Sequence, residues 1–185
     1  MKSRALLIVA LEQELPTTGL ADWTILYTGV GKVNAAINLM AALTEKKPDL
    51  LINYGTAGAI KTGKADIVEV GQSVQCDMDA RPLGIALGAT PFETGTERFT
   101  LSDSPLICGT ADRFVTSAPE LACDLVDMEL YALAKIAKRE QIPLKSFKFI
   151  SDNADDNSQQ DWKNSLPDSA SGFLSIQDDL LSLRG

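Results

Sequence analysis

Two short apolar runs, each ending in glycines and separated by one helical segment, constrain this chain more than any other feature. Trp23-Thr-Ile-Leu-Tyr-Thr28 has strand character and runs into Gly29-Val-Gly31, and Asp49-Leu-Leu-Ile-Asn-Tyr54 likewise runs into Gly55-Thr-Ala-Gly58. Between them, from Lys32 to Glu45, Val33, Ile37, Met40 and Ala41 keep helical spacing with no Gly or Pro inside, and Lys46-Lys-Pro48 ends the helix. Strand, helix and strand make a βαβ unit with both glycine turns on one side of a sheet, where ligands lie in open α/β folds. Neither turn spells GxGxxG or a P-loop, so a dinucleotide or ATP phosphate site is unsupported. Taken alone, the glycines could serve only the tightness of the turns.

The rest of the chain extends this pattern. Ala5-Leu-Leu-Ile-Val-Ala10 is continuously apolar, as expected of a strand buried on both faces. Ile67–Gln75 alternates and reads as a strand with a turn at Val70-Gly-Gln. Residues 77–105 read as a short strand among long loops, with apolar pieces such as Leu83–Leu87. Leu106–Gly109 and Leu125-Val126 are further short strands. From Glu129 to Glu140, Leu130, Leu133, Ala134 and Ala137 line one helical face, with Lys138 and Arg139 at the end that favours cations. Residues 153–172 are polar, Trp162 being their only large apolar side chain before Leu166, and read as a lid or a surface loop. Phe173, Ile176, Leu180 and Leu183 form the stripe of a closing helix. With no internal repeat and no long linker, residues 1–185 are expected to form a single α/β domain, a mixed twisted sheet flanked by helices.

Composition removes several functions. A net charge of −8 argues against a nucleic-acid partner, which needs a basic footprint. The absence of histidine excludes Ser-His and Cys-His catalysis and most zinc sites, leaving Asp, Glu, Lys, Tyr or Cys for proton chemistry. Cys76, Cys108 and Cys123, an odd number without a CxxC pair, fit reduced buried thiols. Lys2 and Arg4 ahead of Ala5–Leu11 resemble a leader, but the run is short and is cut by Glu12 and Glu14. No apolar run approaches the roughly 20 residues of a membrane span. A cytoplasmic protein without membrane or nucleic-acid partners is expected.

Chemistry concentrates where strands end. In Ser146-Phe-Lys-Phe-Ile-Ser-Asp-Asn-Ala-Asp155 the apolar run stops abruptly at Ser151-Asp152. A carboxyl there can meet a ligand with an apolar strand behind it, the setting in which an acid with a raised pKa is built. Asp152 and Asp155 could equally make only an Asx turn or a helix cap. Leu11–Leu15, Asn53–Gly58 and Val126–Glu129 are three more strand ends carrying polar groups.

In order and spelling, five segments resemble the nucleoside phosphorylase and nucleosidase superfamily, and within it the 5′-methylthioadenosine/S-adenosylhomocysteine nucleosidases. They are Ala10-Leu-Glu-Gln-Glu-Leu15, Thr28-Gly-Val-Gly-Lys-Val-Asn-Ala-Ala36, Asn53-Tyr-Gly-Thr-Ala-Gly-Ala59, Val126-Asp-Met-Glu129 and Ile150-Ser-Asp-Asn-Ala-Asp155. The resemblance implies a nucleoside phosphorylase-like fold and an N-glycosyl hydrolase of nucleoside catabolism and methionine salvage. It implies a small-molecule nucleoside as the only ligand, no metal or cofactor, and a homodimer. It puts Glu14 at the position that activates water, Asp152 at the acid serving purine N7, and Ser151 beside it. Glu129 falls on the residue binding the ribose hydroxyls and Met128 against the sugar. Phe114 and Val115 fall on the base pocket, and Thr56, Ala57 and Gly58 on the turn lining the sugar and water site. The residue types suit the reaction, because breaking a ribosyl C–N bond puts positive charge on the sugar and negative charge on the purine.

Phosphorylases of this superfamily place arginine beside the glycine turn to hold phosphate. Here Asn53 stands two residues before Gly55 and no arginine lies near Glu12–Glu14, which favours hydrolysis. A phosphorylase and a non-catalytic nucleoside binder are the alternatives. Three departures stand out. Asp127 replaces the usual Glu, Lys148 stands where Arg is common, and residues 77–125 are shorter than in the family. The last leaves the 5′ substituent open among methylthioadenosine, adenosylhomocysteine, 5′-deoxyadenosine and futalosine-type nucleosides.

Overall fold

The structure, a computed structural model, describes residues 4–60 and 66–183. Lys2, invoked in the leader reading, lies outside them. Among the described residues, nine strands join in one mixed sheet. They are β1 (Ala5–Val9), β2 (Thr24–Tyr27), β3 (Leu50–Ala59), β4 (Ile67–Glu69), β5 (Gln72–Gln75), β6 (Phe99–Thr100), β7 (Ile107–Thr110), β8 (Leu125–Asp127) and β9 (Leu144–Asp152). Helices α1 (Lys32–Glu45), α2 (Leu130–Glu140) and α3 (Ser158–Ser182) flank the sheet. The strand order is β2-β1-β3-β8-β7-β5-β6, with β9 pairing β3 and β4 off that path. β1 is parallel to both β2 and β3, so the βαβ unit forms as expected. No helix among the described residues is long and apolar enough to cross a membrane.

The continuous apolar runs follow from layering. Successive side chains of a strand point to opposite faces. Leu6 and Ile8 of β1 join a core with Ala35, Leu39 and Leu43 of α1 and Leu130 and Leu133 of α2. Ala5, Leu7 and Val9 join a second core with Trp23, Tyr54 and, from α3, Phe173 and Leu180. Both faces of β1 are covered, so every residue of it is apolar.

Three local expectations are corrected. The bounds of α1 match the reading, but Val33 and Ile37 are 66% and 62% exposed, and the buried face is Ala35, Leu39 and Leu43. The helix carries two apolar stripes, and the sheet and α2 cover the one at Ala35, Leu39 and Leu43. Gly55-Thr-Ala-Gly58 is not a turn: β3 runs straight through it, because β9 pairs along residues 51–58 and β8 takes over at Gly58 and Ala59. The polar stretch 158–172 is neither lid nor loop but the first part of the 25-residue α3, with Pro167 inside. Its start is secured by Asp155 and Ser158, where Asp155 N–H donates to Ser158 Oγ at 2.7 Å and Ser158 N–H to Asp155 O at 3.1 Å.

Candidate active site

The site begins with an irregularity between β3 and β9. Ala57 pairs with Ile150 but Gly58 pairs with Asp152, so Ser151 is an extra residue in the ladder. A bulge re-aims the side chains beyond it. It lets two consecutive residues, Ser151 and Asp152, face the same cleft, which a regular strand forbids. Ser151 Oγ donates to Asp152 Oδ2 at 2.7 Å, and Ala154 N–H donates to Asp152 Oδ1 at 2.9 Å. The second bond is the Asx turn considered above, and it holds the same carboxyl that lines the cleft. A Cβ on Gly58 would lie 2.7 Å from Asp152 Oδ1, so only glycine leaves room for this placement.

Glu14 is anchored three ways. Leu11 N–H donates to Oε2 at 3.1 Å, Thr56 N–H to Oε1 at 2.9 Å, and Thr56 Oγ1 to the same Oε1 at 2.6 Å. Glu14 is 4% exposed, whereas Glu12 on the same turn is exposed and does not line the cleft. Glu14 and Asp152 lean on Gly55 and Gly58 respectively, three residues apart on β3.

Glu129 begins α2 just beyond β8. Its Oε1 accepts from Gly31 N–H at 2.8 Å, while Asp112 Oδ1 accepts from Lys32 N–H at 2.7 Å. Two carboxylates thus meet the positive N-terminal end of α1. Gly31 permits this with φ +93°, a backbone that side-chained residues rarely adopt. Burial first, and then the charge of Asp127, push the Glu129 carboxyl up to about 8, against the opposing pull of Lys148 and the Gly31 N–H. Behind it, Lys148 Nζ pairs with Asp127 Oδ2 at 2.8 Å. Burial works against the ammonium of Lys148. Asp127 outweighs burial, holding the ammonium charged and its pKa above the ordinary value.

One cleft of about 180 Å³ brings together Glu14, Glu129 and Asp152. Glu14, Thr56, Ala57, Gly58, Phe114, Val115, Met128, Glu129, Ser151 and Asp152, the ten residues singled out from sequence, all line it. Phe114 is 47% exposed at its rim and Val115 is buried. Trp162 also lines the cleft and was not among the ten; its Nε1 donates to Thr56 Oγ1 at 2.9 Å. Its one sequence signal was being the sole large apolar residue in a polar stretch. Arg113, exposed beside Phe114, is a second wall residue the sequence reading omitted. Asn53 does not face the cleft. It accepts from Ser146 Oγ at 2.9 Å and donates to Ile8 O at 3.2 Å, tying β9 and β1 across β3, so its identity carries no information about phosphate.

A family model described as the phosphorylase superfamily matches residues 15–111, just over half of the chain. The 5′-methylthioadenosine/S-adenosylhomocysteine nucleosidase of Haemophilus influenzae (strain 86-028NP) is 29% identical, over 79% of this chain and 74% of that protein. In fold the chain is similar to the solved nucleosidase of the same description from Colwellia psychrerythraea 34H in complex with adenine. That likeness has a TM-score of 0.85 at 21% identity and covers 98% of this chain and 96% of that one. It is also similar to a futalosine hydrolase mutant of Helicobacter pylori strain 26695, with a TM-score of 0.84 at 18% identity over 96% and 99% of the two chains. The mixed sheet with flanking helices is therefore the nucleoside phosphorylase and nucleosidase fold.

Proposed function

This chain belongs to the phosphorylase superfamily, and from that premise we propose that it is a purine nucleosidase, hydrolysing the N-glycosidic bond of an adenosine-type nucleoside to free base and 5-substituted ribose. The observation that carries the reading is the setting of Glu14. A carboxylate has about four acceptor sites. Three are filled by Leu11 N–H and the two Thr56 donors, which leaves one, on Oε2, for a water. A buried carboxylate tolerates a water nucleophile and repels phosphate. Lys148, the nearby buried cation, is already paired with Asp127 and is not a wall residue of the cleft.

In this reading Asp152, steadied by Ser151 and Ala154, protonates the purine at N7 as the C–N bond breaks. Glu129, with one oxygen held by Gly31, turns the other to the ribose hydroxyls. Met128 packs against the sugar, Phe114 stacks on the base and the Val115 backbone pairs with its edge. Thr56, Ala57 and Gly58 floor the sugar and water site. Nucleosides with a 5′-thio substituent are the substrate class, as in the name of the Haemophilus influenzae relative.

The functional unit of the proposal is a single domain that pairs as a homodimer in the cytoplasm. Val33 and Ile37 on α1, with Val30 at the cleft rim, leave an apolar stripe bare that a second copy would cover. Three free cysteines fit a reducing compartment. The deciding experiment is release of adenine from methylthioadenosine with and without phosphate. Equal rates, with free 5-methylthioribose as product, are expected. Turnover only with phosphate would make it a phosphorylase, and binding without release would make it a binding protein.

A further inference from the structure

Trp162 lies in the second turn of α3, half-buried over the cleft, and its indole nitrogen is committed to Thr56 Oγ1 at 2.9 Å. Thr56 Oγ1 in turn lies 2.6 Å from Glu14 Oε1. The chemistry of these groups decides the direction of both bonds. An indole N–H can only donate, and a threonine hydroxyl has one proton and two lone pairs. The Thr56 oxygen must therefore accept from Trp162, and its single proton is left for Glu14. A hydroxyl that accepts a hydrogen bond is also polarised into a better donor.

We propose that Trp162 is a positioning residue for Glu14, acting through the Thr56 hydroxyl so that the one acceptor site left for water lies on Oε2; the proposal rests on the hydrolase reading above. Oε1 is saturated by the Thr56 N–H and O–H, and Oε2 holds Leu11 N–H with one site to spare. Were the Thr56 rotor released, Oε1 would open and compete for the water from a different direction. The ring also walls the cleft, so its packing and its N–H must be separated.

Trp162→Phe does so, keeping an aromatic wall while deleting the donor. Losing one hydrogen bond that acts in the transition state lowers kcat about 3- to 10-fold with KM within about twofold. Thr56→Val removes the hydroxyl at constant shape, and Trp162→Phe in that background costs nothing further; Thr56→Ser restores the dependence on the indole. Independent, multiplying losses in the double variant, or a change in KM alone, would mean that Trp162 acts as a wall and would overturn the proposal. A second readout does not need turnover. The chain has two tryptophans, so ¹⁵N-indole labelling gives two resonances, and the one lost in Trp162→Phe belongs to Trp162. That resonance shifts upfield in Thr56→Val; an unmoved resonance would sink the proposal even if the enzyme hydrolyses nucleosides. A shifted resonance with no turnover in the wild-type protein would instead overturn the hydrolase reading while upholding the contact.

Discussion

Lys148 Nζ lies 2.8 Å from Asp127 Oδ2, with the two side chains only 2% and 1% exposed. Each was singled out in the sequence as a departure from the resembling family, an acid one methylene short and a lysine in place of arginine. In the fold the two departures are partners. Asp127 also accepts from Leu130 N–H at 2.9 Å, capping α2, and from Thr110 Oγ1 at 2.6 Å, so three of its about four acceptor sites are engaged. The pair sits beside Glu129, where Lys148 offsets part of the repulsion from Asp127.

Removing one partner of a buried pair leaves the other charge uncompensated. Lys148→Met is expected to destabilise the protein by about 3–5 kcal/mol at pH 8. The loss shrinks at pH 5, where protons can neutralise carboxylates left without their cation. Urea unfolding at the two pH values measures this. An identical loss at both would mean that the pair's charge is not what matters.

Glu129 sets a pH dependence of its own. Its folded-state value of about 8 lies above the ordinary 4.5, so folding takes up a proton here between those values. The stability it contributes is complete below about 4.5 and drains away as pH rises to about 8. Glu129→Gln is neutral throughout and lacks that slope. Wild-type protein should therefore lose stability relative to the variant between pH 5 and pH 8. Parallel stability curves would show that Glu129 is ionised across the range.

Asp152→Asn should preserve the Asx turn, because the Ala154 N–H still finds an oxygen acceptor. The Ser151 hydroxyl must turn to accept from the amide, and the proton for the purine is lost. Turnover is expected to fall about 10²-fold or more, with binding of adenosine analogues kept within roughly tenfold. Losses of equal size in both would reduce Asp152 to a structural cap.

Gly58→Ala tests the close approach. Its Cβ would stand 2.7 Å from Asp152 Oδ1 and 3.3 Å from Val126 Cγ2. Overpacking of this kind costs about 1–3 kcal/mol, and it displaces Asp152 from the cleft. Thermal unfolding and adenine release should both suffer, and a variant as active as wild type would show that Asp152 has room to move.

The sequence by itself determined the periodic elements and the strand ends. α1 spans Lys32–Glu45 as read, and β1, β2, β8, α2 and β9 fall within a few residues of expectation. These depend on local spacing and propensity, which a single chain displays openly. The ten candidate residues were named by the family resemblance: eight of them lie in the five matching segments, and Phe114 and Val115 lie outside those segments. What the tertiary structure alone decided depends on partners far away in the chain. Whether α1 buries Ala35, Leu39 and Leu43 or shows them to solvent is set by the sheet, not by the helix. Gly55–Gly58 looks locally like a turn, and only pairing with β9 and β8 keeps it extended. The polar start of α3 has too few apolar residues to declare a helix. It is tied down by Trp162 to Thr56 and by Tyr54 Oη to Ser169 O at 2.6 Å, contacts that span more than a hundred residues. Lys148 and Asp127 are equally silent about one another in the sequence, because the charge of a buried group has meaning only once the fold has chosen what lies beside it.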